Sequence, residues 1–158
     1  MGDCTKEIAY IWLDGKGDLS LPFAIRIRVF CDEQGYTPEM EIDQQDQHAW
    51  HVLLTYSEKP IATGRIFWKE PEVMMLGRIA VERNWRGKGI GRLIVEEMSR
   101  KAAELGAHKL QLDAQCRAAG FYEKLGFSIC GEEHMDGHVP HVLMEKKQNL
   151  LAYEGKNI

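Results

Sequence analysis

The pattern of apolar and polar positions divides the chain into alternating strands and helices. Runs of branched and aromatic residues between turn signals predict seven strands, at residues 7–13, 50–56, 61–68, 73–81, 109–114, 127–130 and 138–145. Apolar residues at helical spacing predict helices at residues 20–34, 89–105 and 118–125. Hairpins dominate the first half, and strands alternate with helices in the second. This order predicts a mixed sheet in an α/β domain with helices on both faces.

The predicted helix ends and connections follow from punctuating residues. Ser20 is the expected N-cap of the first helix, and Gly35 is its expected stop. Residues 37–46 are acidic and interrupted by a proline, so we expect them to lie outside the core. Residues 131–137 should join the last two strands, and the polar tail 149–158 should be loose.

Three glycines lie where the strand at 73–81 gives way to the longest helix, in the run Arg86-Gly87-Lys88-Gly89-Ile90-Gly91. Glycine adopts positive φ at little cost and lets the backbone approach a ligand closely. The free N–H groups and positive dipole end of a helix N-terminus favour phosphate groups. Arg86, Lys88 and Arg92 add positive charge, so the run predicts a cradle for a pyrophosphate. The alternative is an ordinary glycine-rich turn between a strand and a helix.

The spacing of this run excludes two common nucleotide-binding loops. A Walker-type loop ends in Gly-Lys-Ser/Thr, but Lys88 is followed by Gly89. A dinucleotide fingerprint counted from Gly87 requires a small residue at its sixth position, where this chain has Arg92.

Composition sets limits on size, partners and compartment. The 158 residues suit one domain, with a core at about 7–147 and a tail at 148–158. A net charge of −4 and the lack of a basic block argue against nucleic-acid binding, and the apolar runs are too short to span a membrane. The cysteines lack metal-binding or redox spacing, which favours reduced thiols in the cytoplasm. They are Cys4, Cys31, Cys116 and Cys130.

Two motifs together resemble the GNAT-type N-acetyltransferases. Arg86, Gly89 and Gly91 match the Arg-x-x-Gly-x-Gly loop that binds coenzyme A pyrophosphate in that superfamily. Downstream, the family pattern Asn-x-x-Ala-x-x-x-Tyr-x-x-x-Gly-Phe is matched with one departure, because a glutamine replaces the asparagine. The matching residues are Gln115, Ala118, Tyr122, Gly126 and Phe127.

The resemblance extends over most of the chain, from about Glu7 to Glu145. Residues 28–35, the acids that follow them and residues 137–144 are similar to one group of small bacterial members. The resemblance implies a mixed, mostly antiparallel central sheet of six to seven strands flanked by about four helices. It also implies that the sheet is splayed at the strand before the glycine loop.

The implied reaction is transfer of an acetyl group from acetyl-CoA to a primary amine by direct attack, with no metal. The backbone of Ile79, Ala80 and Val81 would bind the pantetheine arm and offer an N–H to the thioester oxygen. Tyr122 would act as general acid toward the thiolate. The residues expected to bind the coenzyme are Ile79, Ala80, Val81, Arg86, Gly87, Lys88, Gly89, Ile90, Gly91, Arg92, Gln115, Ala118 and Tyr122.

The general base is less defined, because the strand before the loop lacks the glutamate that many family members carry there. The remaining candidates are Glu41, His51, His138 and His141. Glu41 lies in the stretch where the substrate-facing loop is expected, and His141 lies on a strand expected near the splayed centre of the sheet. Cys116 invites a nucleophilic mechanism, which direct transfer makes unnecessary.

The acceptor is expected to be a small amine, such as a polyamine, an amino sugar or an amino-acid-like molecule. Carboxylates in the run 39–46 could attract such a cation, or could be solvated on a loop. Two other functions stay open. One is an acyl-CoA-binding sensor without catalysis, which the missing strand glutamate favours, and the other is an acyl-homoserine-lactone-type synthase. A homodimer is compatible with the fold.

Overall fold

The computed structural model describes residues 7–150, which contain eight strands and four α-helices. The strands are β1 (Ile8–Asp14), β2 (Trp50–Tyr56), β3 (Lys59–Glu70), β4 (Val73–Val81), β5 (Lys109–Gln115), β6 (Ser128–Ile129), β7 (His134–Asp136) and β8 (Val139–Lys147). The helices are α1 (Ser20–Arg26), α2 (Pro38–Glu41), α3 (Ile90–Glu104) and α4 (Ala119–Lys124). A π-helical segment, Ile27–Glu33, continues α1. Cys4 and residues 151–158 of the predicted tail lie outside the described residues.

The strands form one mixed sheet, which confirms the predicted fold class. The order is β1-β2-β3-β4-β5-β8-β6, and β7 pairs with β8. The described part of the chain therefore has one strand more than the six or seven expected. Strand β7 falls in the segment predicted as a connection, because it is only three residues long and carries polar residues. The parallel ladder between β4 and β5 runs from Val73–Lys109 to Leu76–Leu112, and β4 continues to Val81.

The described chain forms two compact units. The first contains residues 7–67 and 78–98, and the second contains residues 68–77 and 99–150. The first unit has a buried cluster of Ile25, Val29, Leu53 and Ala80, against which Leu13 and Phe30 pack. This cluster joins the first helical region to β2 and to the end of β4, the strand that leads into the glycine loop.

The first helical region differs in detail from the prediction. Leu19 is the N-cap of α1 and Ser20 is its first residue, so the predicted cap was wrong by one position. The backbone N–H of Ser20 donates to Asp18 Oδ1 at 2.9 Å, so Asp18 supplies the polar group expected from Ser20. The predicted end of this helical region at Gly35 is confirmed, since Gly35 has a φ of 83° and its N–H donates to the Cys31 carbonyl.

The segment at residues 37–46 was predicted to lie outside the core, which holds for most of its residues but is wrong for Glu41 and Asp46. It folds into α2 and a 3₁₀ turn, Gln44–His48, each with its own side-chain cap. Thr37 caps α2, and Asp43 with Asp46 forms a capping box for the 3₁₀ turn. Glu41 and Asp46 are only 4% and 3% exposed.

The second unit shows the alternation expected of a strand with one buried face. Leu110, Leu112 and Ala114 of β5 are buried, and the residues between them are partly exposed. Strand β8 pairs antiparallel with β5 from Lys109–Lys147 to Gln115–His141. Helix α4 is followed by Gly126 at a φ of 97°, and Lys146 Nζ donates to the nearby Leu125 carbonyl at 2.8 Å.

We predict that Gly15→Ala destabilises the protein by roughly 2 kcal/mol, because a crowded core position resists added volume. A Cβ at Gly15 would contact the backbone of Asp46 and would lie 2.6 Å from the Ala49 carbonyl oxygen. The matched control is Gly17→Ala in the same turn, where the nearest atom would be the Asp14 carbonyl oxygen at 3.3 Å. Urea unfolding measures both changes. Equal stability of the two variants would contradict the packing of this turn against residues 46–49.

Candidate active site

The glycine loop has the backbone conformation that its sequence predicts. Gly87 and Gly89 have φ values of 74° and 81°. A Cβ built on either glycine would meet no atom within 4 Å, so the positive φ rather than crowding requires glycine here. The first bond of α3 runs from Leu93 N–H to the Gly89 carbonyl at 3.2 Å. The N–H groups of Ile90, Gly91 and Arg92 precede that bond, so helix geometry gives them no acceptor within α3.

The cations of the loop are engaged to different extents. Arg86 donates from Nη1 and Nη2 to both carboxylate oxygens of Glu33, at 2.7 and 2.9 Å, and from Nε to the Val81 carbonyl. Arg92 pairs with Glu96 one turn along α3. Lys88 Nζ lies 5.3 Å from the centroid of the Trp85 ring. Lys88 and the main-chain amides are therefore better suited to an anion than Arg86, whose charge Glu33 already compensates.

Strand β4 carries an unusual backbone conformation immediately before Ile79. Arg78 has a φ of 50°, in the left-handed region that residues other than glycine rarely adopt. Such a residue costs of order 1–3 kcal/mol and persists only where its surroundings hold it. Beyond it, Ala80 is buried in the core of the first unit, whereas Ile79 and Val81 are half-buried.

The first unit contains a buried network of charges that sequence reasoning missed. Arg26 Nε donates to Glu41 Oε1 at 3.0 Å, and its Nη1 donates to Asp46 Oδ1 at 2.7 Å. Arg65 Nη1 donates to Asp43 Oδ1 at 2.6 Å and to Asp46 Oδ1 at 2.9 Å. We call these residues together with Arg78 the buried charge network. The signal was Arg26 and Arg65 at apolar positions of a predicted helix and strand, because a buried cation needs a partner.

Arg78 attaches β4 to the edge of this network. Its Nε donates to the Glu41 carbonyl oxygen and lies equally close, at 3.1 Å, to Glu41 Oε1. Its Nη2 donates to Asp43 Oδ2, also at 3.1 Å, and to the Met40 carbonyl at 3.4 Å. The carboxylates of Glu41, Asp43 and Asp46 thus contact three arginines. These carboxylates are compensated within the fold and do not form the open acidic surface considered for attracting an amine.

Burial and the arginines act in opposite directions on these acids. Burial raises the pKa of Asp46, but its hydrogen bond to Arg26 and the charges of Arg26 and Arg65 outweigh burial, so the pKa is lowered. Burial also raises the pKa of Asp43, but the hydrogen bond to Arg65 and the charges of Arg65 and Arg78 outweigh burial, so this pKa is lowered as well. For Glu41 burial is the largest influence and raises the pKa, while Arg78 and Arg26 oppose it.

His51 has a structural environment. It is 1% exposed, and its Nε2 lies 2.9 Å from the Asp46 carbonyl oxygen. Burial lowers its pKa, which favours the neutral ring at physiological pH. These contacts support packing beneath the buried charge network rather than proton transfer.

In the second unit, Tyr122 of α4 lies in an aromatic environment. Its ring makes edge-to-face contacts with Phe121 and Phe127, at centroid distances of 5.0 and 6.0 Å. Burial raises the pKa of Tyr122 to about 12, so the phenol stays protonated at physiological pH. Ala118 lies in the 3₁₀ turn Cys116–Ala118, and Gln115 is its N-cap. The Gln115 Oε1 accepts a hydrogen bond from Arg117 Nε at 2.9 Å.

His141 is 6% exposed and has distinct contacts at its two nitrogens. Its Nδ1 lies 2.9 Å from the Val139 carbonyl oxygen, which assigns the proton of the neutral ring to Nδ1. Its Nε2 lies 3.8 Å from Asp136 Oδ2. In this tautomer the Nε2 lone pair can accept a proton, and the nearby carboxylate would stabilise the resulting cation.

A second histidine on the neighbouring strand was missed in the sequence. His134 Nε2 lies 2.9 Å from Asp113 Oδ2, and its Nδ1 lies 3.2 Å from the Glu132 carbonyl oxygen. Two acceptors favour the doubly protonated ring, and the hydrogen bond to Asp113 raises the pKa of His134. The His134 and His141 ring centroids are 6.3 Å apart. The sequence spacing of His134 and His141 did not predict that the two rings would be close, because their proximity depends on the register of β7 against β8.

Cys116 does not have the surroundings of a nucleophile. Burial, followed by the charges of Glu133 and Asp113, raises the pKa of its thiol and disfavours the thiolate. Within residues 7–150, no group of three or more His, Cys, Asp or Glu side chains is arranged to hold a metal ion. The helices of the same residues include none long and apolar enough to cross a bilayer.

Comparison with known proteins gives a consistent result. Residues 22–148, which include parts of both compact units, match the family model described as Acetyltransferase (GNAT) domain. A Bacillus subtilis protein named as a candidate acetyltransferase is 36% identical over 135 residues, covering 84% of this chain and 91% of that protein.

Two solved structures share the fold. Escherichia coli ElaA is similar with a TM-score of 0.80 and 23% identity, over 89% of this chain and 99% of that one. A GNAT family acetyltransferase from Elizabethkingia anophelis, solved with acetyl-CoA bound, has a TM-score of 0.71 and 17% identity, over 90% and 99% of the two chains.

We predict that Asp46→Asn lowers the free energy of unfolding at pH 7 by about 3 kcal/mol, because Arg26 and Arg65 lose a buried carboxylate. The lowered pKa values of Asp43 and Asp46 also predict an acid dependence. Their stabilisation is complete above the unfolded-state pKa of about 4 and is lost as pH falls through the lower folded-state values.

Urea unfolding between pH 3 and 7 measures both effects. The variant should lose stability less steeply with acid than the parent protein. Asp32→Asn, at an exposed position, is the control and should resemble the parent. Equally steep acid limbs for the parent and Asp46→Asn would contradict this account of the network.

Proposed function

This chain belongs to the GNAT acetyltransferase family, and we propose that it is an N-acetyltransferase that transfers the acetyl group of acetyl-CoA to the primary amine of a small molecule. The observation that carries the proposal is the loop before α3, where Gly87 and Gly89 take positive φ directly ahead of the first helical amides. These amides and the Lys88 ammonium group form a site suited to a pyrophosphate. The acetyl-CoA complex of a neighbour with the same fold supports the same ligand here.

The proposed chemistry needs no covalent intermediate on the protein. The amine attacks the thioester carbonyl, the C–S bond breaks, and the thiolate takes a proton. Holding the two reactants together supplies a large part of the rate. We assign the pantetheine arm to the backbone of Ile79, Ala80 and Val81, whose amides can also stabilise negative charge on the thioester oxygen. Gln115 and Ala118 complete the proposed coenzyme contacts.

Tyr122 is the proposed general acid. Its phenol stays protonated at neutral pH because burial raises its pKa to about 12. A protonated donor is what a departing thiolate requires.

His141 is the proposed general base, in preference to Glu41. The Nε2 of the neutral His141 ring has a lone pair for the amine proton, and Asp136 can stabilise the cation that forms. Glu41 is 4% exposed and its Oε1 contacts both Arg26 and Arg78, so that oxygen is already engaged. Its interactions favour a structural role.

We also propose that the reaction takes place in the cytoplasm. Cys31, Cys116 and Cys130 are free thiols, which suits a reducing cytoplasm. Arginines compensate Glu41, Asp43 and Asp46, so these three carboxylates give no support for an amine-attracting surface. We therefore propose a primary amine without further restriction on its class.

We predict that Tyr122→Phe binds acetyl-CoA like the parent protein but lowers kcat about 100-fold, because it removes only the proton donor. Calorimetry gives the acetyl-CoA affinity, and thiol release with a panel of primary amines gives kcat. Tyr10→Phe in β1 is the control and should retain activity. Failure of the parent to bind acetyl-CoA at millimolar concentration would reject the proposed function. Binding without turnover on any amine would favour a sensor module.

We predict that His141→Gln lowers kcat about 100-fold with unchanged acetyl-CoA affinity, because the amine keeps its proton. His108→Gln, at an exposed histidine of the same unit, should behave like the parent. A His141 variant with the parent rate would remove this residue as the base.

A further inference from the structure

The feature of interest is the left-handed backbone at Arg78 and the side chain that anchors it. Residue 78 follows Gly77 and precedes Ile79 within the continuous strand β4. Its φ of 50° interrupts the regular pleat. The peptide group between Arg78 and Ile79 carries the Ile79 N–H, so the direction of that N–H depends on the conformation of residue 78.

Nothing in the intrinsic preference of arginine supports a positive φ. A residue with a Cβ is strained in this region, and the conformation lasts only when contacts enforce it. The side chain supplies such contacts, since Nε and Nη2 reach two main-chain carbonyls and two carboxylates of residues 40–43. That segment is in turn fixed by Arg26 and Arg65.

We infer that Arg78 is a positioning residue, whose tether to Met40, Glu41 and Asp43 holds β4 in the left-handed conformation and thereby orients the Ile79 amide toward the acyl-pantetheine arm. The inference rests on the proposed function and adds to it a residue with no direct part in the chemistry. It also assigns a role to the buried charge network, which fixes the carbonyls that Arg78 binds. The guanidinium group therefore acts through backbone geometry.

Two truncations separate this role from a general loss of charge. Arg78→Ala and Arg78→Gly both remove the tether, but only glycine adopts the positive φ without strain. We expect Arg78→Ala to weaken acetyl-CoA binding about tenfold and Arg78→Gly to weaken it by less than about threefold. Arg78→Gly should also melt at a temperature no lower than Arg78→Ala, the reverse of the order at an ordinary strand position.

Calorimetry with acetyl-CoA measures the affinities, and thermal unfolding followed by circular dichroism verifies that each variant is folded. Arg100→Ala is the control, because it removes a partly exposed arginine paired with Glu104 at the far end of α3 and should retain the parent affinity. Equal affinities for the alanine and glycine variants, or a weaker glycine variant, would overturn the positioning role while leaving the proposed function intact. If the parent protein itself fails to bind acetyl-CoA, the proposed function is rejected and this role with it.

Discussion

The first unit depends on three arginines and three carboxylates, four of which are buried while Arg78 and Asp43 lie at a partly exposed edge. Burying a charge costs several kcal/mol unless close partners and hydrogen bonds compensate it. Here each cation contacts at least two acceptors, and Arg26 also donates to the Glu41 carbonyl at 2.6 Å. The partners come from α1, the 37–48 segment, β3 and β4, so a shift of any of these elements would separate charges that are paired in the fold. Ion pairs and hydrogen bonds are directional whereas apolar contacts are not, so the network constrains the geometry in which these elements meet.

The network also explains which parts of the fold could be predicted. Strands β2 and β4 have the predicted bounds because branched residues and adjacent turns mark them locally. The loop before α3 could also be predicted from the local sequence, because glycines at 87 and 89 indicate a positive φ at their own positions. Glu41 and Asp46 were misplaced because their burial depends on arginines up to 37 residues away along the chain. No local pattern identifies which distant cation will neutralise a given carboxylate.

In the candidate site, too, local features could be predicted from the sequence and tertiary partners could not. The motifs located the residues proposed to bind the coenzyme, but the charges around them depend on tertiary partners. The sequence predicts that Arg86 binds phosphate, but in the structure its guanidinium group forms a bidentate ion pair with Glu33 of the π-helical segment. A π-helical turn closes with i→i+5 hydrogen bonds, which brings Arg28 and Glu33 to the same side. Both then pair with residues flanking the turn Arg83–Trp85, Arg28 with Glu82 and Glu33 with Arg86. A regular α-helix would have separated these two side chains, so the π register is part of how the glycine loop is held.

For the proposed reaction, the charges that could attract an acceptor amine are those that the fold leaves uncompensated. The carboxylates at 41, 43 and 46 are excluded as the attracting surface, because three arginines already compensate them. In the second unit, the carboxylate of Asp113 has fewer hydrogen-bond partners. Asp113 has one oxygen on His134, while its buried Oδ1 has no hydrogen-bond partner. A buried carboxylate oxygen needs a hydrogen-bond donor, which the protein or a water molecule can supply. The local pattern of acidic residues therefore does not identify which carboxylates keep free accepting capacity, because that depends on the partners that each one meets in the fold.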